Sequence, residues 1–303
     1  TFFNSAVAKT NVAFDRIVNG FPFDGSRKEI EAFLDSLTGF EKYAYDRFPK
    51  YSGFLNFSGT QPGEDPAHSR AAGLGTYIQV KNSAGSEFPA FSKTTTGENI
   101  LDFGSKSFSV EFDFYYPVEP NANQILCQRM SGTSHGFSLN ILTSSNRNRA
   151  RVHFTCQSGS DSILGVSAIF AKGRWNHVCA TFDRSEGENR LYLDVGDEDQ
   201  VRTSTTWEMD PINLGAKSLL IGSGTSHTTS SSDLFIPEQT FNGAINEFRF
   251  FHSVRDKEAQ GLEKYTNIFA QDDLKLYFRL NEPTGTFNSQ NVVLDTKSYR
   301  HFE

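Results

Sequence analysis

Residues 173–196 form the pattern of a β-hairpin, because apolar and polar residues alternate on both sides of a polar turn. Successive side chains of a strand point to opposite faces, so each half of the hairpin has one apolar face. Such a face must be covered by another layer, which favours a sandwich. The inward positions are Val178, Ala180 and Phe182 before the turn and Leu191 and Leu193 after it.

The same alternation recurs along the chain, and the composition agrees with a β core. The 303 residues include 29 Phe, which fill pleated cores, and 24 Gly, which serve frequent chain reversals. A chain of this length can bury one large β core beside a small accessory region. Further strands are predicted at residues 76–80, 108–114, 124–128, 136–142, 151–156 and 162–168.

Three motifs stand in the order typical of one fold family. They are Trp-Asn-His-Val at 175–178 with Leu-Tyr-Leu-Asp at 191–194, Leu-Leu-Ile-Gly at 219–222, and Phe-Asn-Gly-Ala-Ile-Asn-Glu-Phe-Arg-Phe at 241–250. Together these motifs resemble those of laminin-G-like, concanavalin A-like jelly-roll domains.

This resemblance implies a mainly β fold, an antiparallel jelly-roll β-sandwich over residues 59–267, with a small helical segment before it. In the family, a tryptophan where the hairpin strand begins packs under the sandwich. We therefore expect Trp175 to be a core residue. A fold of this kind does not by itself specify an activity.

Residues 1–58 follow a helical period instead. A capping box begins at Ser26, and apolar residues recur at helical spacing until Thr38-Gly39 ends the run. The aromatic residues that follow either pack on the sandwich or contact another protein. Segments within residues 19–53 resemble those preceding laminin-G-like modules in structural proteins of tailed bacteriophages, which implies that residues 1–58 dock to other virion subunits.

The C-terminal part and one loop leave alternatives open. Residues 253–265 predict a short capped helix. Residues 268–303 contain predicted strands at 274–280 and 293–296, which either complete the first sandwich or begin a second module. The Ser/Thr/Gly loop at 223–232, around His227, is either a solvated turn or a binding loop.

The charge and cysteine content narrow the partners and the setting. A net charge of −7 argues against nucleic acid and anionic lipid as partners, and no apolar run approaches the about 20 residues of a membrane span. Cys127, Cys156 and Cys179 are odd in number and lie on predicted strands, so we expect buried free thiols over a disulfide framework. Such thiols suit folding in a reducing cytoplasm.

No complete catalytic constellation is present, so we expect no enzyme. Glu111-Phe-Asp113 resembles part of the E-x-D-x-x-E strand of a retaining glycosidase family, but the third acidic position is Tyr116. We therefore predict that Glu111 and Asp113 form the wet face of a strand. The seven histidines show no zinc spacing, and His177 is predicted to be a hydrogen-bonded structural residue.

Related sandwiches often hold calcium at a rim, through carboxylates and carbonyls. The sequence offers acidic loop residues for such a site but no EF-type loop, and we assign no metal, cofactor or catalytic residue. The candidate ligands would be Asp161, Asp197, Glu198, Asp199 and Asp233.

Two functions follow from these observations. The first is a non-enzymatic virion protein of a tailed phage, located in the tail, a fibre or the capsid, oligomeric, with a projecting jelly roll that can bind host glycan. The alternative is a carbohydrate-binding lectin module of a secreted or cell-surface bacterial protein. Sugar stacking in either case would need exposed aromatic rings, for which Tyr115, Tyr116 and Trp207 are candidates.

Overall fold

The computed structural model describes most of the chain between residues 54 and 280. The described ranges are 54–59, 75–80, 101–119, 121–160, 162–196, 199–206, 208–215, 217–230, 232–257, 259–260 and 272–280. The predicted helices before residue 54, the loops at 60–74 and 81–100, and the predicted strand at 293–296 lie outside them.

The described residues contain fifteen strands and one 3₁₀ turn, Ser185–Gly187. The strands are β1 Leu55–Phe57, β2 Ile78–Val80, β3 Phe108–Tyr115, β4 Gln124–Ser131, β5 His135–Leu142, β6 Arg149–Ser158, β7 Ile163–Ala171, β8 Trp175–Asp183, β9 Asn189–Val195, β10 Val201–Thr205, β11 Leu219–Ile221, β12 His227–Thr228, β13 Leu234–Phe235, β14 Gly243–Phe251 and β15 Leu274–Phe278.

The strands form two large antiparallel sheets and a small hairpin, which confirms the predicted β-sandwich. The seven-stranded sheet has the order β1-β14-β3-β8-β9-β10, with β15 also paired to β14. The six-stranded sheet has the order β2-β11-β4-β5-β6-β7, and β12 pairs only with β13. The predicted hairpin at 173–196 is β8 and β9, with Val178 opposite Val195 and Phe182 opposite Leu191.

The core lies between the inner faces of the two sheets, and local alternation explains which residues fill it. On β3, Phe108 and Phe112 are fully buried, and they lie opposite Phe182 and Val178 of β8. The ring of Phe108 stacks on that of Phe103 with centroids 4.0 Å apart. Aromatic contacts of this kind contribute about 0.5–1.5 kcal/mol beyond their buried area.

The three cysteines are buried free thiols, as predicted. Burial raises the pKa of Cys127, which keeps this thiol protonated and unreactive. Within the described ranges, no helix has the length and apolar character needed to cross a membrane.

The predicted helix at 253–265 is described only where it begins. Asp256 accepts hydrogen bonds from the Ala259 N–H at Oδ1 (2.7 Å) and from the Gln260 N–H at its carbonyl (3.0 Å). A carboxylate that accepts such a bond is a favourable start for a helical turn. Residues 261–265 lie outside the described part.

Candidate functional site

The β12–β13 hairpin covers part of the outer face of the six-stranded sheet. Its two strands place His227 opposite Phe235, and the two rings lie 5.3 Å apart. His227 is fully buried. The Ser/Thr/Gly loop of the sequence is therefore not a simple solvated turn, because its histidine is packed on the sheet.

Polar side chains on the sheet hold this hairpin down. Gln128 accepts a hydrogen bond from the Thr225 N–H at Oε1 (2.7 Å) and donates from Nε2 to the Thr225 carbonyl (2.9 Å). Gln157 donates to the carbonyl of Thr228 (2.9 Å). These glutamines stand at outward positions of β4 and β6, where alternation places polar residues. The hairpin thus replaces water on a polar strip of the sheet.

The imidazole of His227 is neutral for a geometric reason. Its Nδ1 lies 3.1 Å from the Gln128 amide nitrogen, and its Nε2 lies 3.0 Å from the Asn140 amide nitrogen. Nδ1 can donate to the Thr225 carbonyl (3.2 Å), so a second ring proton would lie on Nε2 and face the N–H groups of the Asn140 amide. Burial also favours the neutral ring, because it lowers the pKa of His227. The hydrogen bond to the Thr225 carbonyl raises this pKa, but by less than burial lowers it.

A pocket of about 440 Å³ lies beside the hairpin, and we call it the hairpin pocket. It contains polar groups at several positions and apolar side chains at its rim. Its lining residues are Asn123, Leu142, His153, Thr229, Ser230, Asp233, Leu234, Phe235 and Ile236. All of them are described, and they come from four separate stretches of the chain.

Asp233 is fixed at the tip of the hairpin with one carboxylate oxygen to spare. Ser230 donates from Oγ to Asp233 Oδ2 (2.7 Å), and the Asp233 N–H donates back to Ser230 Oγ (3.1 Å). The Thr229 N–H donates to the Asp233 carbonyl (2.8 Å). From the described residues, Asp233 Oδ1 receives no hydrogen bond.

Asn123 and His153 supply the other unused polar atoms. Asn123 Oδ1 accepts a hydrogen bond from the Thr143 N–H (3.0 Å), which orients the amide and leaves its Nδ2 donor unengaged by the described residues. His153 Nδ1 is buried and has no hydrogen-bond partner there either. Burial and the nearby His227 lower the pKa of His153 to about 4, so its ring is neutral at pH 7.

The rim of the hairpin pocket is apolar and exposed. Leu234 and Ile236 are 55% and 58% exposed, whereas Phe235 between them is buried. Strand alternation explains this, since turning Phe235 onto His227 turns its two neighbours outward. A concave site with an apolar rim and a few unused donors and acceptors is suited to a small polar ligand.

The sequence candidates for catalysis lie elsewhere, on the outer face of the seven-stranded sheet. Glu111 is fully buried and bonds to Arg249 Nη1 (3.1 Å) and Arg255 Nε (3.1 Å). His177 Nδ1 lies 2.8 Å from Asp113 Oδ1, and its Nε2 lies 3.5 Å from Glu111. The prediction that Glu111 and Asp113 form a wet face is therefore wrong, because cations from distant parts of the chain enclose Glu111.

We call this group the ion cluster: Glu111, Asp113, His177, Glu247, Arg249, Arg255 and Tyr277. Burial raises the pKa of Glu111, but Arg249, His177 and Arg255 outweigh it and hold the pKa below its usual value. In Glu247, by contrast, burial dominates and raises the pKa, although Arg249 and Tyr277 bond to its carboxylate. His177 is a hydrogen-bonded structural residue, as predicted.

The aromatic candidates for sugar stacking differ in their exposure to solvent. Tyr116 is fully buried and donates its hydroxyl to the Ala122 carbonyl (3.0 Å), so it cannot stack on a sugar. Trp175 is not a core residue, which contradicts the prediction; it is partly exposed on the outer face, with its ring 6.0 Å from Tyr115 and 5.4 Å from Phe54. Trp207 lies outside the described residues.

The two acidic candidates that the structure describes, Asp199 and Asp233, are not part of a metal-binding group of described residues. Within the described ranges, no group of three or more His, Cys, Asp or Glu side chains is placed to hold a metal ion. Asp233 is engaged by Ser230, and Asp199 is exposed. Asp161, Asp197 and Glu198 lie outside the described residues.

The residues that shape the hairpin pocket were not singled out by the sequence, apart from Asp233. His153 was noted only as one of seven histidines. One signal was present in the sequence. His153 alternates with the core residues of β6, as Arg151 and Thr155 do, so its side chain is on the outer face of the sheet. A neutral ring at such a position differs from an exposed cation. The structure brings together Asn123, His153 and the hairpin from distant parts of the chain, so their proximity leaves no pattern in the sequence.

Comparison with known protein families agrees with the observed fold. Residues 84–259, more than half of the chain, match the family described as the concanavalin A-like lectin/glucanases superfamily, of laminin G type. No curated protein matches the sequence.

Solved structures show a distant likeness. A protein from Bacteroides ovatus ATCC 8483 has 16% identity and a TM-score of 0.45 over 80% of this chain and 56% of its own. A heptameric SAP-like pentraxin from Limulus polyphemus has 13% identity and a TM-score of 0.37 over 50% and 66%. Tailspike protein 2 of bacteriophage CBA120 has 12% identity and a TM-score of 0.40 over 59% and 27%. This chain thus spans less than two thirds of each.

Proposed function

Because the chain belongs to the laminin-G-like family of the concanavalin A-like lectin/glucanases superfamily, we propose that it is a glycan-binding module and that the hairpin pocket is its binding site. The observation that carries this proposal is the lining of the pocket: exposed Leu234 and Ile236 stand beside the unused polar atoms of Asp233 and Asn123 and the neutral ring of His153.

This lining matches the chemistry of a sugar ring. A pyranose presents hydroxyl groups at its edge, each able to donate and accept, and C–H groups on its faces. The hydroxyls fit the carboxylate and amide, and the C–H faces fit the apolar rim. The volume of about 440 Å³ lies within the range of small-ligand sites.

We propose binding without hydrolysis. Glycoside hydrolysis generally uses two carboxyl groups that flank the scissile bond. Among the described lining residues, the hairpin pocket offers only Asp233. Glu111 and Asp113, the carboxylates that resemble a glycosidase strand, are committed to the ion cluster.

For the biological setting, we propose a virion protein of a tailed phage, with residues 1–58 docking to other subunits and the sandwich projecting. The support is the resemblance of residues 19–53 to segments of phage structural proteins. The alternative setting is a secreted or cell-surface bacterial protein. Virion fractionation separates them: deletion of residues 1–53 should abolish incorporation, and unchanged incorporation contradicts the docking role.

A glycan array of the full chain tests the binding function. We expect a set of related glycans to bind, and Leu234→Asp to weaken their binding at least about tenfold, because a charge replaces the apolar rim. The matched control is Ile169→Asp, an exposed apolar residue on β7 of the same sheet but outside the pocket. A blank array with folded protein, or equal loss in both variants, contradicts the proposal.

A further inference from the structure

The lining of the hairpin pocket carries negative charge without a matching positive charge. Asp233 is the only charged side chain among the described residues that line it, and none of these is Lys or Arg. His153 adds no positive charge at pH 7, because burial and His227 hold its pKa at about 4. Arg151, on the same outward face of β6, is exposed and lies outside the lining.

The spare hydrogen-bonding atoms are complementary to a pair of hydroxyls. Asp233 Oδ1 can only accept, and Asn123 Nδ2 can only donate. One sugar hydroxyl can donate to the carboxylate while its neighbour accepts from the amide. A ligand carboxylate has no proton to give to Asp233 and would place a like charge beside it.

His153 lines the pocket with a neutral ring. Its ring lies against Gly165 of β7, where an added Cβ would come within 2.8 Å of Nε2. The absence of a side chain at Gly165 therefore makes room for the imidazole.

From this arrangement we infer that the pocket binds an uncharged sugar through adjacent hydroxyls and rejects glycans that end in sialic or uronic acid. This inference rests on the proposed glycan-binding function and adds the class of ligand. Asp233 is the residue that sets the selectivity, and His153 contributes affinity without regard to ligand charge.

Matched pairs of glycans test this selectivity. An array that carries each neutral glycan beside its sialylated or uronic acid counterpart is followed by calorimetric titration of the best pair. We expect the wild type to bind the neutral member at least about tenfold more tightly. Asp233→Asn should bring that ratio toward one, whereas His153→Ala should weaken both members and leave the ratio unchanged.

Asp199→Asn is the control, since it removes the same charge from an exposed site outside the pocket and should keep the wild-type ratio. Equal or tighter binding of the acidic glycans by the wild type overturns the inference while the binding function stands. An unchanged ratio in folded Asp233→Asn overturns the role of Asp233. A wild type that binds no glycan overturns both proposals.

Discussion

The outer faces of the two sheets both bury polar side chains, one with charges and the other with neutral groups. On the seven-stranded sheet, Glu111 is enclosed by Arg249 and Arg255. On the six-stranded sheet, the amides of Gln128 and Asn140 surround the neutral ring of His227. A buried charge must be matched closely by its partners, whereas a neutral network tolerates atoms left over at its edge.

This difference separates structural from binding roles. The ion cluster engages its carboxylates with cations and hydroxyls inside the protein. The neutral face ends in the hairpin pocket, where Asp233 and Asn123 retain hydrogen-bonding atoms that the described residues do not use. Under the proposed function, the face with the buried charges is structural and the neutral face carries the ligand site.

The largest effect should come from breaking the ion cluster. Glu111→Gln keeps the size of the side chain but leaves Arg249 and Arg255 buried without their carboxylate. We expect a loss of about 3–5 kcal/mol in the free energy of unfolding, measured by urea denaturation. Glu119→Gln, which breaks the exposed pair with Arg147, is the control and should leave stability unchanged. Equal stability of both variants would show that the cluster is not structural.

As pH falls, the outer faces of the two sheets should lose stability at different pH values. His153 and His227 have lowered pKa values, so protonation of the unfolded chain removes stability as pH falls below about 6.5. For His153, whose folded pKa is about 4, this loss continues to about pH 4. The pKa of Glu111 is also lowered, so its contribution persists until pH falls below about 4.5. The raised pKa of Glu247 acts in the opposite sense, since its protonation relieves a buried charge.

Residue-resolved hydrogen exchange between pH 7 and 4.5 measures this order. Amides of β12 and β13 should lose protection first, by about tenfold or more, while those of β3 and β14 stay protected. His153→Asn removes one titrating group and should reduce the loss. Earlier opening of β3 would contradict the assignment of acid sensitivity to the neutral face.

The smallest effect should come from crowding His153. Gly165→Ala adds a Cβ that would lie 2.8 Å from His153 Nε2 and so pushes the ring within the pocket. We expect glycan affinity to fall about threefold to tenfold, with a change in unfolding free energy below about 1 kcal/mol. Ser167→Ala, at the next outward position of β7, should leave affinity unchanged; calorimetric titration compares the two.

The strands could be predicted from the sequence because alternation is local. The same parity that turns Val178 and Phe182 inward places Trp175 on the outer face, and the structure agrees with that parity and not with the expectation drawn from the family. For Glu111, parity indicated the correct face but not its burial. Its partners Arg249 and Arg255 lie 138 and 144 residues away in the chain.

The hairpin pocket could not be predicted for a related reason. Its lining joins Asn123, His153 and the β12–β13 hairpin, which strand order brings together only after the six-stranded sheet has formed. The sequence marked the Ser/Thr/Gly loop as a possible binding loop, but nothing local shows that its histidine packs inward and its aspartate outward.

The pairing of β14 has a mechanical consequence. Leu55 of β1 lies opposite Ile245, and Phe278 of β15 lies opposite Phe248. These partners are three residues apart, so Leu55 and Phe278 lie within about 10 Å of each other along one edge of β14. Among the described strands, β1 and β15 pair only with β14, so we expect tension applied at Phe54 and Leu280 to detach these two strands before the others.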